Sequence, residues 1–335
     1  MQPAIYGMAG ETLTADERAF FRDSDPAGYI LFARNVASRE QVRALTDSLR
    51  ALHGRDDVPI LIDQEGGRVA RMKPPVWPPF PPGERFARLY AVSPVAAIEA
   101  ARANAQAIAV TLREVGINVD CLPLLDVRQE GASDIIGDRA LGSEPMQVAA
   151  LGRAILDGLH SAGVLGVIKH IPGHGRALVD SHHELPVVDA GEEELAIDLE
   201  PFERLRGAAM GMTSHLLYKQ WDPDRPASQS PIVIHDIIRQ RIGFDGFLMS
   251  DDIGMEALAG DHGERAAACV AAGCDVALHC DGKMENMLLV AKAVPALSQE
   301  AEARLSRAMA MTFTPEDGMD FAAAVEKRDA LLALA

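Results

Sequence analysis

The chain has 335 residues, of which 32 are Lys or Arg and 49 are Asp or Glu, so its formal net charge at pH 7 is −17. Such an acidic balance argues against a nucleic acid or an anionic membrane as partner, because both are themselves negatively charged. Hydrophobic residues make up 48% of the chain, which excludes wholesale disorder and suffices for a sizeable core.

The N-terminus lacks a charged segment followed by an apolar one, and no stretch reaches the roughly 18 apolar residues of a membrane span. We therefore expect a cytoplasmic protein. The cysteines form no CxxC pair, which predicts buried free thiols in a reducing compartment. They are Cys121, Cys269, Cys274 and Cys280.

Eight short apolar runs recur along the chain, each bounded by Gly, Pro or Asp. Continuous apolar runs of this kind are typical of strands buried on both faces, as in parallel sheets. The predicted strands cover 4–8, 28–33, 58–63, 117–127, 163–170, 208–215, 246–252 and 274–280.

Segments with helical periodicity separate these strands. Ser38 can cap a helix whose Val42, Leu45 and Leu49 share one face, and further helices are predicted over 95–115, 144–161, 191–206 and 256–272. Eight strands alternating with helices predict an α/β protein with a single (β/α)8 TIM-type barrel over 1–335, with C-terminal helices at about 298–335 packed on the barrel. An open doubly wound sheet is disfavoured, because no GxGxxG turn follows the first strand.

Residues 73–82 interrupt this regular alternation with six prolines in the sequence KPPVWPPFPP. Proline removes a backbone donor and fixes φ, so this segment cannot lie inside a helix or a central strand. It is predicted to form a stiff loop after the third strand. The loop serves either as a purely structural segment or as a wall of a substrate site.

Ionisable residues follow several of the predicted strands. The carboxyl ends of parallel barrel strands meet at one rim, where barrel enzymes place their active sites. A single carboxylate there could merely cap a helix, but the repetition at five strand ends points to a common site. The strand-end residues are Asp63, Asp126, Lys169, His170, His215, Asp251 and Asp252.

Four of the ten histidines lie within 170–183. A metal site is disfavoured, because Pro172 and Gly173 break any helix that could place two of these rings on one face, and no HExxH spacing is present. Acid–base chemistry fits better. Asp180 and His182 are two residues apart in a loop, so the carboxylate can orient and tune the imidazole.

A nucleophile is also available. Ser250 is not in a GxSxG turn, and Cys121 lies inside an apolar run, so neither has the setting of an activated nucleophile. Asp251 ends a strand, where its carboxylate can attack an electrophilic carbon or hold a metal. Composition and spacing thus indicate a barrel hydrolase or lyase and do not identify its substrate.

Several motifs together resemble glycoside hydrolase family 3. They are KHIPGHG with the following Asp-Ser-His, DQEGGRVAR, GFLMSDDIGM, GYILFARN, IIGDRALG, MTSHLLY and AGCDVALHC. The likeness runs from about residue 5 to about residue 285. Within the family it is strongest to the single-domain bacterial β-N-acetylglucosaminidases (β-hexosaminidases) of peptidoglycan recycling.

The resemblance implies a role for each matching residue. Asp251 would be the nucleophile of a retaining mechanism, and His182, assisted by Asp180, the general acid/base. This dyad departs from the two carboxylates of most retaining glycosidases. The residues implied to bind the sugar are Asp63, Arg71, Arg139, Lys169 and His170. Arg68 and His174 are expected mainly to shape the loops.

The expected function is therefore hydrolysis of terminal non-reducing N-acetylglucosamine from muropeptide fragments. We expect a monomer with a small carbohydrate substrate, no cofactor and no metal. The alternatives are a phosphorylase that uses phosphate instead of water, a β-glucosidase and a non-catalytic sugar-binding barrel. A phosphorylase is plausible because a neutral imidazole does not repel the phosphate anion.

Overall fold

The computed structural model describes residues 1–181, 183–314 and 320–335. Eight parallel strands form a closed barrel in which each strand pairs with the next and the last pairs with the first, so the predicted (β/α)8 barrel is confirmed. The strands are β1 (Gln2–Gly7), β2 (Pro26–Leu31), β3 (Ile60–Ile62), β4 (Val119–Asp120), β5 (Leu165–Ile171), β6 (Met210–Thr213), β7 (Phe247–Asp252) and β8 (Val276–His279).

Helices surround the barrel. Those in the described part of the chain are α1 (Ala15–Ser24), α2 (Arg39–His53), α3 (Gly83–Val92), α4 (Pro94–Glu114), α5 (Pro145–Ser161), α6 (Glu192–Arg204), α7 (His262–Ala272), α8 (Met284–Ala293), α9 (Gln299–Met309) and α10 (Phe321–Leu332). A helix of π type covers Val233–Ile242.

Most of the long helices lie where the sequence predicts them, but one begins later than predicted. Ser38 caps α2 by accepting a hydrogen bond from the Gln41 amide, as predicted. The helix expected over 256–272 begins only at His262. Gly260 has a φ of +88°, and Asp261 then caps α7, so the segment after β7 stays irregular.

The barrel interior is a separate apolar cluster from the layer between strands and helices. Its residues come from alternate positions of the strands, and α9 adds Leu305, Ala308 and Met309 to it. The outer cluster joins the opposite strand faces to the surrounding helices. This division follows from the two-residue period of a strand, which turns successive side chains to opposite faces.

The proline-rich segment packs against the outer side of the barrel. Trp77 and Phe80 belong to the outer apolar cluster, and the Phe80 carbonyl accepts a hydrogen bond of 2.8 Å from the Gly67 amide. A cavity opens at the carboxyl ends of the barrel strands, and none of residues 73–82 is among the described residues that line it. This favours a structural role for the loop over a role as a wall of the substrate site.

The C-terminal helices both contact the rest of the chain. α10 packs against α4, where the Arg328 Nη1 donates to Asn104 Oδ1 at 3.2 Å. All four cysteines are buried and free. Among the described residues, no helix is both long and apolar enough to cross a membrane.

Candidate active site

A cavity of about 240 Å³ opens at the carboxyl ends of the barrel strands. Strand ends and the loops that follow them form its wall, as the position of the ionisable residues in the sequence predicts. The lining residues are Ile30, Phe32, Asp63, Glu65, Arg68, Val69, Arg71, Ile135, Ile136, Arg139, Lys169, His170, His174, Ser181, Met212, Asp251, Asp252, Met255, Leu278 and Cys280.

Lys169 in β5 joins two carboxylates at the floor of the cavity. Its Nζ lies 3.0 Å from Asp63 Oδ1 and 2.7 Å from Glu65 Oε1, and its side chain is only 2% exposed. Burial alone would raise the pKa of Asp63 and of Glu65, but the charge of Lys169 helps to hold both below their usual values. Both carboxyl groups are therefore ionised at neutral pH.

Two arginines complete this ionic network. Arg71 Nη2 donates to Asp63 Oδ2 at 2.9 Å, and Arg139 donates from Nε and Nη2 to the two oxygens of Glu65 at 2.8 Å each. The second pair has the bidentate geometry that makes an arginine–carboxylate contact both strong and directional. The network therefore fixes several charged groups before any ligand enters.

The turn after β3 brings Asp63 and Glu65 together. Gln64–Gly66 and Val69–Ala70 form a small antiparallel ribbon. Gly66 has a φ of +100°, and a Cβ at this position would lie 2.3 Å from the Pro81 carbonyl oxygen. The Gly-Gly pair in this motif is thus required by the tight turn against the proline-rich segment.

Asp126 organises the histidines of the KHIPGHG segment. Its Oδ2 accepts from His170 Nδ1 at 2.7 Å, and its Oδ1 accepts from the amides of His170 and His174 at 3.1 and 2.7 Å. Burial would raise the pKa of Asp126, but these two histidines lower it to about 2. Since Nδ1 of His170 is engaged, only its Nε2 remains available for a ligand.

Asp251 and Asp252 end β7 and differ in their electrostatic setting. Burial opposes ionisation of both, yet the neighbouring His170 lowers the pKa of Asp251, whereas burial raises the pKa of Asp252. Asp251 Oδ1 also accepts from the Asp252 amide at 2.8 Å. Asp252 Oδ1 instead accepts from the amides of Gly254 and Cys280, so it braces the loop.

His215 supports the backbone next to these two carboxylates. Its Nε2 donates to the Asp252 carbonyl at 3.0 Å, so its Nδ1 accepts the hydroxyl hydrogen of Ser228 at 2.7 Å. Burial lowers the pKa of His215, which keeps the ring neutral. The end of β7 is therefore held in place by a strand-end residue from its neighbour β6.

The structure brings most of the sequence-predicted residues into one cavity. Asp63, Arg71, Arg139, Lys169, His170 and Asp251 all line it. Asp180 is half-buried in the loop after β5 and is not among the lining residues, whereas the next residue, Ser181, is. His182 lies outside the described residues.

Sequence reasoning missed Glu65 as a site residue. It stands two positions after Asp63, and the two-residue period of extended chain gives such residues the same side, which could have indicated it. Arg68, expected to shape loops, lines the cavity and also donates to Asp138 Oδ1 at 2.7 Å and to the carbonyls of Asp134 and Ile135.

Comparison with known proteins gives concordant results. Residues 7–312 match the model of the glycosyl hydrolase family 3 N terminal domain. A β-hexosaminidase of Aromatoleum aromaticum is 37% identical over 308 residues, covering 90% of this chain and 86% of the relative. A β-hexosaminidase of Methylococcus capsulatus is 40% identical over 285 residues, covering 83% of this chain and 82% of the relative.

A solved structure agrees over the whole fold. NagZ from Neisseria gonorrhoeae, in complex with N-trifluoroacetyl-D-glucosamine, superposes with a TM-score of 0.87 at 30% identity, covering 100% of this chain and 98% of that one. The family match spans nearly all of the barrel and includes the residues of the cavity. The chain therefore belongs to glycosyl hydrolase family 3 and is a glycoside hydrolase.

Proposed function

We propose that the chain is a retaining exo-β-N-acetylglucosaminidase that removes terminal non-reducing N-acetylglucosamine from muropeptide fragments of peptidoglycan. The observation that carries the proposal is the setting of Asp251. It is a half-buried carboxylate at the end of β7, lines the central cavity and has a pKa below its usual value. An ionised carboxylate facing a sugar-sized cavity can attack an anomeric carbon.

The reaction takes two steps. In the first, Asp251 forms a bond to the anomeric carbon while the glycosidic bond breaks, and His182 gives its proton to the departing oxygen. In the second, His182 takes a proton from water, whose oxygen attacks the same carbon and releases Asp251. Asp180 orients His182. A histidine leaves no negative charge beside the sugar after donating its proton.

Charged groups of the ionic network would bind the sugar hydroxyls. Asp63 offers carboxylate oxygens, and Lys169 and Arg71 offer N–H donors beside it. Arg139 extends this row of donors, and Nε2 of His170 adds a further polar atom to the cavity wall. Hydrogen bonds from charged groups are stronger than those between neutral partners, so a pocket of this composition can orient a neutral sugar.

The substrate class rests on the relatives. Those compared above are named β-hexosaminidases, and the solved neighbour carries an N-acylated glucosamine analogue. The proposal also includes a cytoplasmic location and a monomeric state for the protein. In addition, we propose that residues 1–335 act as one catalytic domain, with the C-terminal helices packed on the barrel.

The decisive experiment is trapping of the intermediate with an activated fluorosugar of the N-acetylglucosamine series, followed by peptide mapping. We expect the label on Asp251. Asp251→Asn should lower turnover of an aryl N-acetylglucosaminide at least 1,000-fold, on the order of the losses seen when a nucleophile is removed. The neighbouring Asp252→Asn serves as the matched control and should retain the label.

Two outcomes would overturn the proposal. One is label on a residue other than Asp251, and the other is wild-type turnover by Asp251→Asn. Product analysis with and without phosphate separates hydrolysis, which gives free sugar, from phosphorolysis, which gives a glycosyl phosphate. Equal thermal midpoints for the two variants would show that a lost activity does not reflect unfolding.

A further inference from the structure

A second cluster of potential ligand atoms lies outside the sugar cavity. His279 is the last residue of β8, and its neighbours Leu278 and Cys280 line the cavity. Successive side chains of a strand point to opposite faces, so the His279 ring lies on the outer face of the barrel. There it is completely buried, in edge contact with Tyr6 and with His262.

His262 and Asp281 reach the same place from two other segments. His262 is the first residue of α7, and Asp281 lies in the loop after β8. The ring centroids of His262 and His279 are 5.1 Å apart. One ligand atom from each of the three residues lies within 4.8 Å of the others.

The hydrogen bonds of the cluster are incomplete. Among the described residues, neither ring nitrogen of the buried His279 has a hydrogen-bond partner, and Nδ1 of His262 has none. His279 Nε2 lies 3.3 Å from Asp281 Oδ1 but is not aligned for a hydrogen bond. Leaving a buried polar atom unpaired costs about 1–3 kcal/mol, so three unpaired ring nitrogens beside one carboxylate indicate a site for a ligand.

The carboxylate is already held in position. Asp281 Oδ1 accepts from the Lys283 amide at 2.7 Å, and its Oδ2 accepts from Asn286 Nδ2 at 2.5 Å. Such outer contacts orient a ligating carboxylate in known metal sites. Each oxygen keeps a further lone pair, so these hydrogen bonds are compatible with metal ligation.

We propose that His262, His279 and Asp281 bind one divalent transition-metal ion, with Zn²⁺ as the ion that best fits two imidazoles and a carboxylate. In tetrahedral coordination the ligand atoms lie roughly 3.4 Å apart, as follows from metal–nitrogen bonds of about 2.0–2.1 Å. Small side-chain rotations bring the three atoms to that separation. Water would fill the fourth position on the side where the half-buried Asp281 reaches the surface.

The proposed ion would brace the cavity wall without touching the sugar. It would join the end of β8 and the following loop to the first turn of α7. Cys280, between two of the ligands, lines the cavity, and its amide donates to Asp252 Oδ1 at 3.2 Å. The site is thus structural in kind and independent of the reaction proposed above.

Chelator-treated full-length protein, titrated calorimetrically with Zn²⁺ alone, tests the proposal. We expect one equivalent to bind and to raise the thermal midpoint, because a ligand of the folded state stabilises it. His262→Gln and Asp281→Asn, both at partly exposed positions, should each weaken binding at least tenfold.

His235→Gln is the matched control, since His235 and Asp236 form an exposed His–Asp pair at 2.6 Å. It should bind Zn²⁺ like the wild type. Anomalous diffraction from Zn²⁺-soaked crystals should place the ion between the three residues. No binding at micromolar Zn²⁺, or unchanged binding in both cluster variants, would overturn the proposal.

Discussion

The buried ammonium group of Lys169 lies between the buried carboxylate of Glu65 and the half-buried one of Asp63. In the described part of the chain, removing it leaves Asp63 paired with Arg71 and Glu65 paired with Arg139 as the remaining counter-charges. Breaking a buried ion pair on one side typically costs about 3–5 kcal/mol, because the remaining charge stays desolvated. We expect Lys169→Met to lower the free energy of unfolding by about that amount at pH 7, measured by urea denaturation.

The matched control is Lys219→Met. Lys219 Nζ lies 2.8 Å from Asp189 Oδ2, but the two side chains are 50% and 76% exposed. An exposed pair contributes about 0–1 kcal/mol, so this variant should lie close to the wild type. In Lys169→Met the pKa values of the two carboxyl groups rise. The loss in free energy of unfolding, relative to the wild type, should therefore become smaller toward pH 5. A loss equal to that of the control would refute the argument.

At the scale of elements, one arginine ties the loop after β5 to α6. Arg176 Nε donates to Asp198 Oδ2 at 2.6 Å, and its Nη2 donates to the Glu194 carbonyl at 2.9 Å. Burial raises the pKa of Asp198 to about 6 although Arg176 opposes the shift. The loop that continues to Asp180 and Ser181 is therefore anchored by a carboxylate that titrates near neutrality.

Arg176→Gln should destabilise the protein more at pH 8 than at pH 5. A carboxyl group whose pKa is raised in the folded state stabilises the fold at low pH. This stabilisation is lost as the pH rises through the pKa of the folded state. Without the guanidinium the pKa of Asp198 rises further, so at pH 8 the buried anion costs about 1–3 kcal/mol, while at pH 5 the group is neutral. Urea denaturation at both pH values measures the difference.

Arg204→Gln is the control, because Arg204 lies on α6, the helix that carries Asp198. Arg204 Nη2 lies 2.6 Å from Glu200 Oε1, with side chains 48% and 34% exposed, so a pH-independent loss of about 0.3–0.5 kcal/mol is expected. Limited proteolysis should cut Arg176→Gln faster within 173–184 and leave the control unchanged. Equal losses of Arg176→Gln at the two pH values would contradict the anchoring role.

The strands were easier to predict than their lengths. All eight apolar runs overlap a barrel strand, because strands buried on both faces need continuous apolar sequence. The run 117–127, however, pairs as a strand only over Val119–Asp120. Pro123 has no amide hydrogen and cannot continue the ladder. α3 escaped prediction because it begins directly after the prolines of 73–82.

The contacts of the site could be predicted only in part. Rim positions follow from strand ends, so Asp63, Lys169 and Asp251 are accessible to sequence reasoning. The pairing of Arg139 with Glu65 joins residues 74 positions apart. It depends on how the loops of a closed barrel meet, which periodicity does not encode. The resemblance to the family supplied Arg139, while Glu65 emerged only from the geometry.

At the scale of the whole molecule, buried neutral histidines make the fold sensitive to acid. Burial lowers the pKa of His53, His174 and His215, and it brings that of His174 to about 4 with help from His170. A histidine whose pKa is lowered in the folded state stabilises the fold fully above its unfolded-state pKa of about 6.5. This stabilisation is lost as the pH falls through the pKa of the folded state. Stability should therefore decrease from pH 6.5 to 4.

His174→Gln should flatten this decrease by up to about 1.4 kcal/mol per pH unit, the contribution of one proton. Urea denaturation in a chelating buffer between pH 7 and pH 4 measures the slope. The surface substitution His235→Gln serves as the control and should keep the wild-type slope. A slope in His174→Gln as steep as in the wild type would show that this buried ring is not a source of the acid sensitivity.

The balance of charges around the cavity also affects how a sugar diffuses to it. Among the described residues, four carboxylates and four cationic side chains line the cavity, so their formal charges cancel although the whole chain carries −17. A neutral sugar experiences little long-range attraction or repulsion from such a balanced opening. Diffusional encounter, and with it kcat/KM for an uncharged glycoside, should then hardly vary with ionic strength.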